Sequence, residues 1–248
     1  MAAALSRRGL VIAAKAEQNS VLRALMGSDE YLIAPQGFSD TIECEYIICV
    51  GREACSIFNL PTDKFAFEFK ISNRRIIVCP STSLVQKRFI LYPLALRAFE
   101  KARGQEILKS FPEFVPTPSI QYIEWWIANL GDSPIACDIE TIPKFKAITT
   151  IGFAGEHGIM SVPLIRDYWK SSFEEFQAIR LCEKILNTPN TKIFQNCVYD
   201  LMWLRKIYGF RVSGKVFDIM AHHCSAYPQL PHDLETLGAL YMNYPAWK

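Results

Sequence analysis

Short apolar runs and helically spaced apolar positions alternate along the first 110 residues. Residues 46–50 and 75–79 are mostly apolar runs, and stretches with helical spacing follow at residues 53–59 and about 83–109. A buried strand appears in a sequence as a short apolar run, whereas a surface helix places apolar residues three or four positions apart. The pattern predicts two strand-helix units and therefore a small α/β domain.

A proline-rich connector separates this region from the rest of the chain. Three prolines occur within residues 111–119, where they exclude a continuous helix and favour extended backbone. We place the domain boundary here, with a first domain at residues 1–113 and a second at 114–248. Residues 6–12 are interpreted as an ordinary or frayed terminus, because Lys15 interrupts their apolar run and no signal-peptide cleavage pattern follows.

The second domain is predicted to combine helices with a mixed sheet. Its predicted elements are a helix at 120–130, strands at 135–141, 147–153 and 158–164, a helix at 173–186, a strand at 192–195, a helix at 199–208, a short strand at 216–217 and two further helices. The first three strands are close enough in sequence to pair as an antiparallel meander. This domain is thus also predicted to be α/β, with flanking helices.

Length and charge fit two ordinary globular domains. The 248 residues exceed the roughly 100–200 residues of one domain, and 50% of them are hydrophobic. The 27 basic and 25 acidic residues give a net charge of +2, so any nucleic-acid contact must be local. Basic residues gather at Lys87-Arg88 and at 97–103, although such runs are usually solvated faces.

The cysteine pattern indicates neither disulfides nor a zinc site. Eight cysteines are present without a Cys-x-x-Cys pair, and we interpret them as buried, reduced thiols of a cytoplasmic protein. His222-His223-Cys224 clusters possible zinc ligands, but adjacent residues on a helix point in different directions. No stretch approaches the ~20 apolar residues of a membrane span, so no membrane partner is expected.

Three acidic residues suggest a metal site. Asp138 and Glu140 occupy alternate positions of a predicted strand, and side chains two apart on a strand share a face. Two carboxylates on one apolar strand are costly to desolvate unless a hard cation such as Mg²⁺ or Mn²⁺ neutralises them. Asp200 lies in the first turn of a later helix. A favourable interaction with the helix dipole would by itself explain an acidic residue at that position.

These residues resemble the motifs of a nuclease superfamily. Asp138-Ile-Glu140-Thr141 resembles the first motif of the DEDD exonucleases, and Asn196-x-x-Tyr199-Asp200 resembles the second. Residues 216–241 are similar to the stretch that follows in proofreading domains of family A DNA polymerases, especially those of phages. The resemblance covers roughly residues 116–248.

The resemblance implies a ribonuclease H-like fold and two-metal 3′-5′ exonuclease chemistry with Mg²⁺ or Mn²⁺. In an active site of this kind, Asp138 would bridge both ions, Glu140 would hold the ion beside the attacking water, and Asp200 would support the second ion. Thr141 and Asn196 would contact the terminal nucleotide.

Other polar and aromatic residues nearby receive different interpretations. Tyr199 is a further candidate for substrate binding, although packing of its helix together with Trp203 is the favoured interpretation. Asp218 follows a strand and opens a helix, so a capping role is expected. His222 and His223 are expected on the helix surface and in the core.

The sequence departs from the superfamily at its third motif. That motif supplies a fourth aspartate, normally beyond the region matching Pro245-Ala-Trp-Lys248, so the domain is expected to be truncated before it. Asp233 and Glu235 lie too early to replace the missing acid. The chain is then a fragment, or receives the acid from another polypeptide, or binds nucleic acid without cutting it.

Three functional hypotheses follow. The leading one is a proofreading-type exonuclease acting on single-stranded 3′ DNA ends, with the remaining polymerase polypeptide as partner, in the host cytoplasm if the source is a phage. A ribonuclease D-type nuclease that trims RNA 3′ ends would share the first two motifs, because metal chemistry is indifferent to the 2′-hydroxyl group. The third is a non-catalytic nucleic-acid-binding module.

The first domain resembles uracil-DNA glycosylases in two segments. Residues 46–58 are similar to a strand-glycine-helix segment of that superfamily, and residues 78–85 to its late His-Pro-Ser loop, which contacts DNA. Cys79 stands at the histidine position and the water-activating loop is missing, so glycosylase activity is not expected. A degenerate DNA-contacting domain would use Lys87, Arg88 and Arg97 as phosphate contacts. An unrelated small α/β domain is the alternative.

Overall fold

The chain forms two compact units. The computed structural model describes residues 9–13, 20–26, 31–34, 44, 46–71, 74–103, 113–165 and 168–242. Contacts group Met1–Lys109 with Ala226–Lys248 in the first unit and Ser110–Ser225 in the second. The units separate close to the proline-rich connector. The clustering of the last 23 residues with the first unit differs from the predicted second domain at 114–248.

The first unit is built on a five-stranded mixed sheet. Its elements begin with β1 (Gly9–Ala13), α1 (Ser20–Met26), β2 (Tyr31–Ala34), β3 (Tyr46–Val50), α2 (Gly51–Ile57), β4 (Glu68–Ile71), β5 (Arg74–Cys79), α3 (Thr82–Lys87) and α4 (Tyr92–Arg103). The strand order is β2-β1-β3-β5-β4, with β4 alone antiparallel to its neighbour. The predicted α/β class and the strands at 46–50 and 75–79 are confirmed.

β1 corrects the interpretation of the amino-terminal segment. All five residues of β1 are buried, and the strand pairs in parallel with both β2 and β3. A strand covered on both faces needs a continuous apolar run, which Leu10-Val11-Ile12 supplies. Gly9 is required because the ring of Tyr46 occupies the space that a Cβ atom would take. The frayed terminus predicted for residues 6–12 is therefore wrong from Gly9 onward.

The helix predicted at about 83–109 is interrupted. A 3-10 turn at Phe89–Leu91 lies between α3 and α4, and Arg88 has φ −134° and ψ 78°, outside the helical region. Pro93 explains the interruption, because a proline ring inside a helix clashes with the carbonyl group four residues earlier. Pro93 lies in the first turn of α4, where it is tolerated. Residues 104–109 lie outside the described part of the chain.

The carboxy-terminal helix packs within the first unit. α9 (Leu234–Tyr241) follows Asp233, whose carboxylate accepts the backbone N–H of Thr236 at 2.9 Å. Glu235 forms an ion pair with Lys64. The apolar residues buried together here are Ala66, Phe67, Leu94, Leu230, Ala239 and Leu240. Burial of this apolar face explains why the segment clusters with the first unit.

The second unit holds a six-stranded mixed sheet. Its elements are β6 (Phe114–Val115), α5 (Ile120–Ala128), β7 (Ile135–Ile142), β8 (Ala147–Gly155), β9 (Gly158–Pro163), α6 (Ser172–Leu186), β10 (Lys192–Phe194), α7 (Cys197–Tyr208), β11 (Val216–Asp218) and α8 (Ile219–Ala226). The order is β11-β10-β7-β8-β9-β6. β7, β8 and β9 form the predicted antiparallel meander, and β10 is parallel to β7 and to β11. The predicted α/β class, with a mixed sheet and flanking helices, is confirmed.

Helices cover this sheet through one apolar core. Trp126 of α5, Cys182 of α6 and Leu204 of α7 are buried together with strand residues Ile139 and Phe153. The extended connector predicted around residues 111–119 contributes the short strand β6, which pairs in parallel with β9. The core therefore holds the central strand β7 and the helix α7 in one packed unit.

All eight cysteines are free thiols, and five of them are buried. Burial raises the pKa of the Cys55 thiol to about 11, so it stays protonated at neutral pH. The prediction of buried thiols is wrong for Cys224, which is exposed, and only partly right for Cys44 and Cys197, which are half-buried.

None of the described helices is long and apolar enough to cross a membrane.

A buried lysine anchors the start of β10. The Lys192 ammonium group donates hydrogen bonds to the carbonyl oxygens of Thr188, Asn190 and Ser213, at 2.7, 2.9 and 3.2 Å. The side chain is buried, and desolvation lowers its pKa. Because a buried charge persists only where hydrogen bonds compensate it, Lys192 ties together the two loops that flank β10 and β11.

Lys192→Met is expected to lower the free energy of unfolding by about 2–3 kcal/mol, because partly buried carbonyl groups lose their donor. Urea denaturation followed by tryptophan fluorescence measures the change. Lys215→Met, at an exposed position nearby, is the matched control and should stay within about 0.5 kcal/mol of the parent. Equal stability of both variants would contradict the anchoring role.

Candidate active site

The two acidic residues of β7 share one face of the sheet, as predicted. Along this strand Ile135, Cys137 and Ile139 are buried, whereas Asp138 and Glu140 are exposed. This alternation places the apolar residues in the core and both carboxylates on the opposite face.

The neighbouring strand leaves open space beside the carboxylates. Gly152 of β8 lies directly opposite Asp138, and a Cβ atom added to it would have the Asp138 carbonyl oxygen, at 3.8 Å, as its contact within 4 Å. The pairing register shifts after Glu140, and the Thr149 hydroxyl group donates to the Glu140 carbonyl oxygen at 3.1 Å. Such bulges often re-aim side chains next to functional sites. The sequence analysis did not predict this bulge.

α7 brings the third acidic residue to the same strand. Asp200 is only 3% exposed, and its Oδ1 accepts the backbone N–H of Ile139 at 3.1 Å. Ile139 lies between Asp138 and Glu140, so this hydrogen bond fixes Asp200 against the strand that carries both other acids. The dipole of α7 alone therefore does not account for the position of Asp200.

The carboxylates perturb one another. Burial, followed by the charge of Asp138, raises the pKa of Asp200 to about 6. Loss of hydration, followed by the charge of Glu140, raises the pKa of Asp138, although the N–H of Ile139 opposes the shift. Asp138 thus interacts electrostatically with both Glu140 and Asp200. Groups with perturbed pKa values of this kind are concentrated at functional sites.

A hydroxyl pair joins β7 to α7. The hydroxyl oxygens of Thr141 and Tyr199 are 2.5 Å apart. Tyr199 is 38% exposed, so its interpretation as a core residue is wrong. Trp203, one turn further along α7, is buried as expected. The phenol group of Tyr199 therefore lies at the surface beside the acidic strand, where it remains a predicted substrate contact.

The residues around the start of α7 are ordered by Asp218. Asn196 has a left-handed backbone, with φ 63° and ψ 53°. The Asp218 carboxylate accepts the N–H groups of Met220 and Ala221, at 2.9 and 3.3 Å, which confirms its predicted cap on α8. It also accepts N–H groups at the start of α7, a contact that the sequence analysis missed. Burial disfavours its charge, but the backbone N–H groups of Cys197 and its neighbours leave the pKa of Asp218 lowered.

The two histidines occupy the predicted environments. The ring of His222 stacks on Phe217 with the centroids 3.9 Å apart, and His222 is exposed. His223 is buried, at 3% exposure.

The donor chemistry of the site suits a hard divalent cation, but the ligands are not collected into a cage. Among the described residues, no group of three or more His, Cys, Asp or Glu side chains is arranged to hold a metal ion. Asp138 is electrostatically coupled to Glu140 and to Asp200, and such repulsion is relieved by a cation. Convergence of all three carboxylates on a metal remains a prediction.

The three predicted phosphate contacts lie in the first unit. Lys87 lines a cavity of about 230 Å³ together with Arg52, Ser81 and other residues. Arg88 is exposed at the end of α3. Arg97 is half-buried and pairs with Glu100 at 3.4 Å.

A sequence profile described as 3′-5′ exonuclease matches residues 119–248, slightly more than half of the chain. The chain belongs to this exonuclease family. The matched region includes β7 and α7, and thus Asp138, Glu140 and Asp200. No match was found among curated proteins.

Several solved structures resemble part of this chain. Ribonuclease D from Trypanosoma brucei in complex with RNA U12 is 16% identical, with a TM-score of 0.35, over 44% of this chain and 38% of that chain. The EXD2 exonuclease domain soaked in Mg and GMP is 18% identical, with a TM-score of 0.35, over 53% of this chain and 70% of that chain. Escherichia coli ribonuclease D is 14% identical, with a TM-score of 0.34, over 50% and 30%. The chain thus spans less than two thirds of either ribonuclease D.

Proposed function

We propose that the exonuclease domain hydrolyses the terminal phosphodiester bond of a nucleic-acid 3′ end with the help of divalent cations. The observation that carries the proposal is the hydrogen bond from Ile139 to Asp200, which fixes a buried carboxylate against the strand that carries Asp138 and Glu140. A carboxylate whose pKa is raised by burial and by a neighbouring acid is unfavourable in the free protein. Its retention is explained when a cation neutralises the group.

Asp138, Glu140 and Asp200 would hold Mg²⁺ or Mn²⁺, in two sites. Bound ions of this kind ionise a water molecule and stabilise the leaving oxygen of a phosphodiester. Thr141, Asn196 and Tyr199 would position the terminal nucleotide. The hydrogen bond between the hydroxyl groups of Thr141 and Tyr199 supports a shared role, because it presents two polar groups at the edge of the acidic face.

DNA is the proposed substrate, as a single-stranded 3′ end in a polymerase of phage type that acts in the cytoplasm. The proposal rests on the similarity of residues 216–241 to proofreading domains. RNA 3′ trimming is the competing hypothesis for the same site, because the carboxylates act on the phosphodiester and not on the sugar. The rest of the polymerase polypeptide would be a partner only under the first hypothesis.

Digestion of matched oligonucleotides tests the proposed function. The intact protein is incubated with 5′-labelled single strands of identical base sequence in DNA and RNA, with Mg²⁺, Mn²⁺ or EDTA. We expect stepwise shortening from the 3′ end with either cation, none with EDTA, and faster shortening of DNA. Faster shortening of RNA would favour the trimming hypothesis, and intact substrate under every condition would overturn the enzymatic proposal.

The first unit is proposed to contact the DNA backbone without glycosylase activity. Cys79 is fully buried, which suits a structural residue better than a catalytic one. Lys87, Arg88 and Arg97 would be the phosphate contacts. If the protein is instead a non-catalytic module, oligonucleotides bind without shortening, and binding weakens with salt. Charge reversal at Lys87 and Arg88 would then reduce the affinity more than loss of Asp138.

A further inference from the structure

The start of α7 lacks a cap of its own. The first N–H groups of a helix have no partner inside the helix and are usually satisfied by a side chain at the N-cap position. Asn196 occupies that position, but its backbone is left-handed and its side chain makes no capping hydrogen bond. The N–H groups at the beginning of α7 therefore require an acceptor from elsewhere in the chain.

Asp218, at the end of β11, supplies that acceptor. Its Oδ1 accepts the backbone N–H of Asn196 at 3.1 Å, and its Oδ2 accepts that of Cys197 at 2.8 Å. Oδ1 also accepts the N–H of Met220 at 2.9 Å, at the start of α8. One carboxylate thus holds the first turns of two helices, and 22 residues separate it from Asn196 along the chain.

The contacts of Asp218 with the start of α7 are linked directly to the acidic face, which is the side of β7 that carries Asp138 and Glu140. Asp200 lies three residues after Cys197 in the first turn of α7, and it bonds to the N–H of Ile139 on β7. A shift of the first turn of α7 would move the Asp200 carboxylate relative to Asp138 and Glu140. Second-shell contacts of this kind commonly set the orientation of ligand groups and the affinity of a metal site.

We propose that Asp218 is a positioning residue that holds the Asn196–Asp200 turn of α7 against β7 and thereby sets the affinity of the carboxylate site for divalent cations. Asp218 acts through Asp200 and does not itself contact the metal or the nucleic acid. The effect on cation affinity rests on the proposed function. The effect on the placement of Asp200 does not.

A merely structural helix cap would behave differently, and the chain contains a matched control. Asp233 caps α9 through the N–H and the hydroxyl group of Thr236, at 2.9 and 3.0 Å. Asp233 lies in the first unit, whereas the acidic face lies in the second. Asn substitution at either position keeps one acceptor oxygen and replaces the other with an amide donor. At position 218 this donor opposes a backbone N–H group, whereas at position 233 the Thr236 hydroxyl group can accept from it.

Two measurements on Asp218→Asn and Asp233→Asn test the proposal. The first is the exchange rate of the Ile139 amide hydrogen, followed by NMR without metal. We expect Asp218→Asn to speed this exchange about tenfold relative to the other amides of β7, since the Asp200 acceptor loses its fixed position. Asp233→Asn should leave the Ile139 rate unchanged relative to the same amides.

The second measurement is the dissociation constant of Mn²⁺, by calorimetry at a temperature where circular dichroism shows that each variant is folded. We expect Asp218→Asn to weaken Mn²⁺ binding about 10–100-fold and Asp233→Asn to change it less than twofold. Equal Mn²⁺ constants together with unchanged Ile139 exchange would reduce Asp218 to an ordinary cap and overturn the proposal. If the parent protein binds no Mn²⁺, the proposed function fails, and the exchange rate alone then decides whether Asp218 positions Asp200.

Discussion

Asp138→Asn is expected to lower the rate of 3′ shortening by about 10³-fold, because it removes a charge that would act where charge develops in the reaction. Asp138 interacts with both other acids: after burial, its charge raises the pKa of Asp200, and the charge of Glu140 raises the pKa of Asp138. The Asn side chain has nearly the same shape and occupies an exposed position, so the fold should be unaffected. Single-turnover digestion of a labelled oligonucleotide in saturating Mn²⁺ measures the effect.

Asp132→Asn is the matched control for this experiment. Asp132 is exposed, lies six residues earlier in the same unit, and should retain the full rate after substitution. Thermal melting of both variants checks that they are folded. If Asp138→Asn digests the substrate as fast as Asp132→Asn does, the catalytic assignment of the β7 carboxylates is incorrect.

Asp200→Asn is expected to stabilise the metal-free protein at pH 8 by about 2–3 kcal/mol while weakening its binding of Mn²⁺. The pKa of Asp200 is about 6 in the fold, compared with 3.8 for an unperturbed aspartate. Between these values the folded protein binds more protons than the unfolded chain, so its stability falls as the pH rises. Above pH 6 the destabilisation is complete. An Asn side chain carries no charge and can still accept the N–H of Ile139.

Urea denaturation at pH 5 and pH 8, without metal, measures this effect. The advantage of Asp200→Asn over the parent should be larger at pH 8 than at pH 5, and the same concentration of Mn²⁺ should stabilise the parent more than the variant. Four of the five tryptophans lie in the second unit and report on its unfolding. Asp132→Asn should show no pH-dependent difference. A lower stability of Asp200→Asn at pH 8 would show that the fold favours the charged form of Asp200.

Asp200→Asn is expected to raise stability while weakening metal binding, a combination that is typical of functional sites. Residues selected for chemistry are often unfavourable for the fold, so their removal stabilises the protein. Lys192 and Asp218 are the contrast, since both are polar groups whose hydrogen bonds compensate their burial. Substitution of either residue should therefore destabilise the protein.

The second unit was largely predictable because its elements have strong local signals. The alternation of apolar and acidic residues in β7 predicted both the strand and the shared face of Asp138 and Glu140. In the first unit, however, β1 was missed because its short apolar run was interpreted as part of a terminus that Lys15 interrupts. The break between α3 and α4 was missed because the helical spacing continues past Pro93.

The sequence by itself determined the α/β class, the antiparallel meander, the acidic pair on one strand and the family to which the chain belongs. These features depend on local periodicity and on short motifs. Tertiary structure alone decided that Asp200 bonds to Ile139, that Asp218 serves two helices, that Tyr199 lies at the surface and that α9 packs within the first unit. Each of these is a contact between residues far apart in the chain or a matter of exposure. Local periodicity does not encode such contacts, because they depend on how the packed core arranges whole elements.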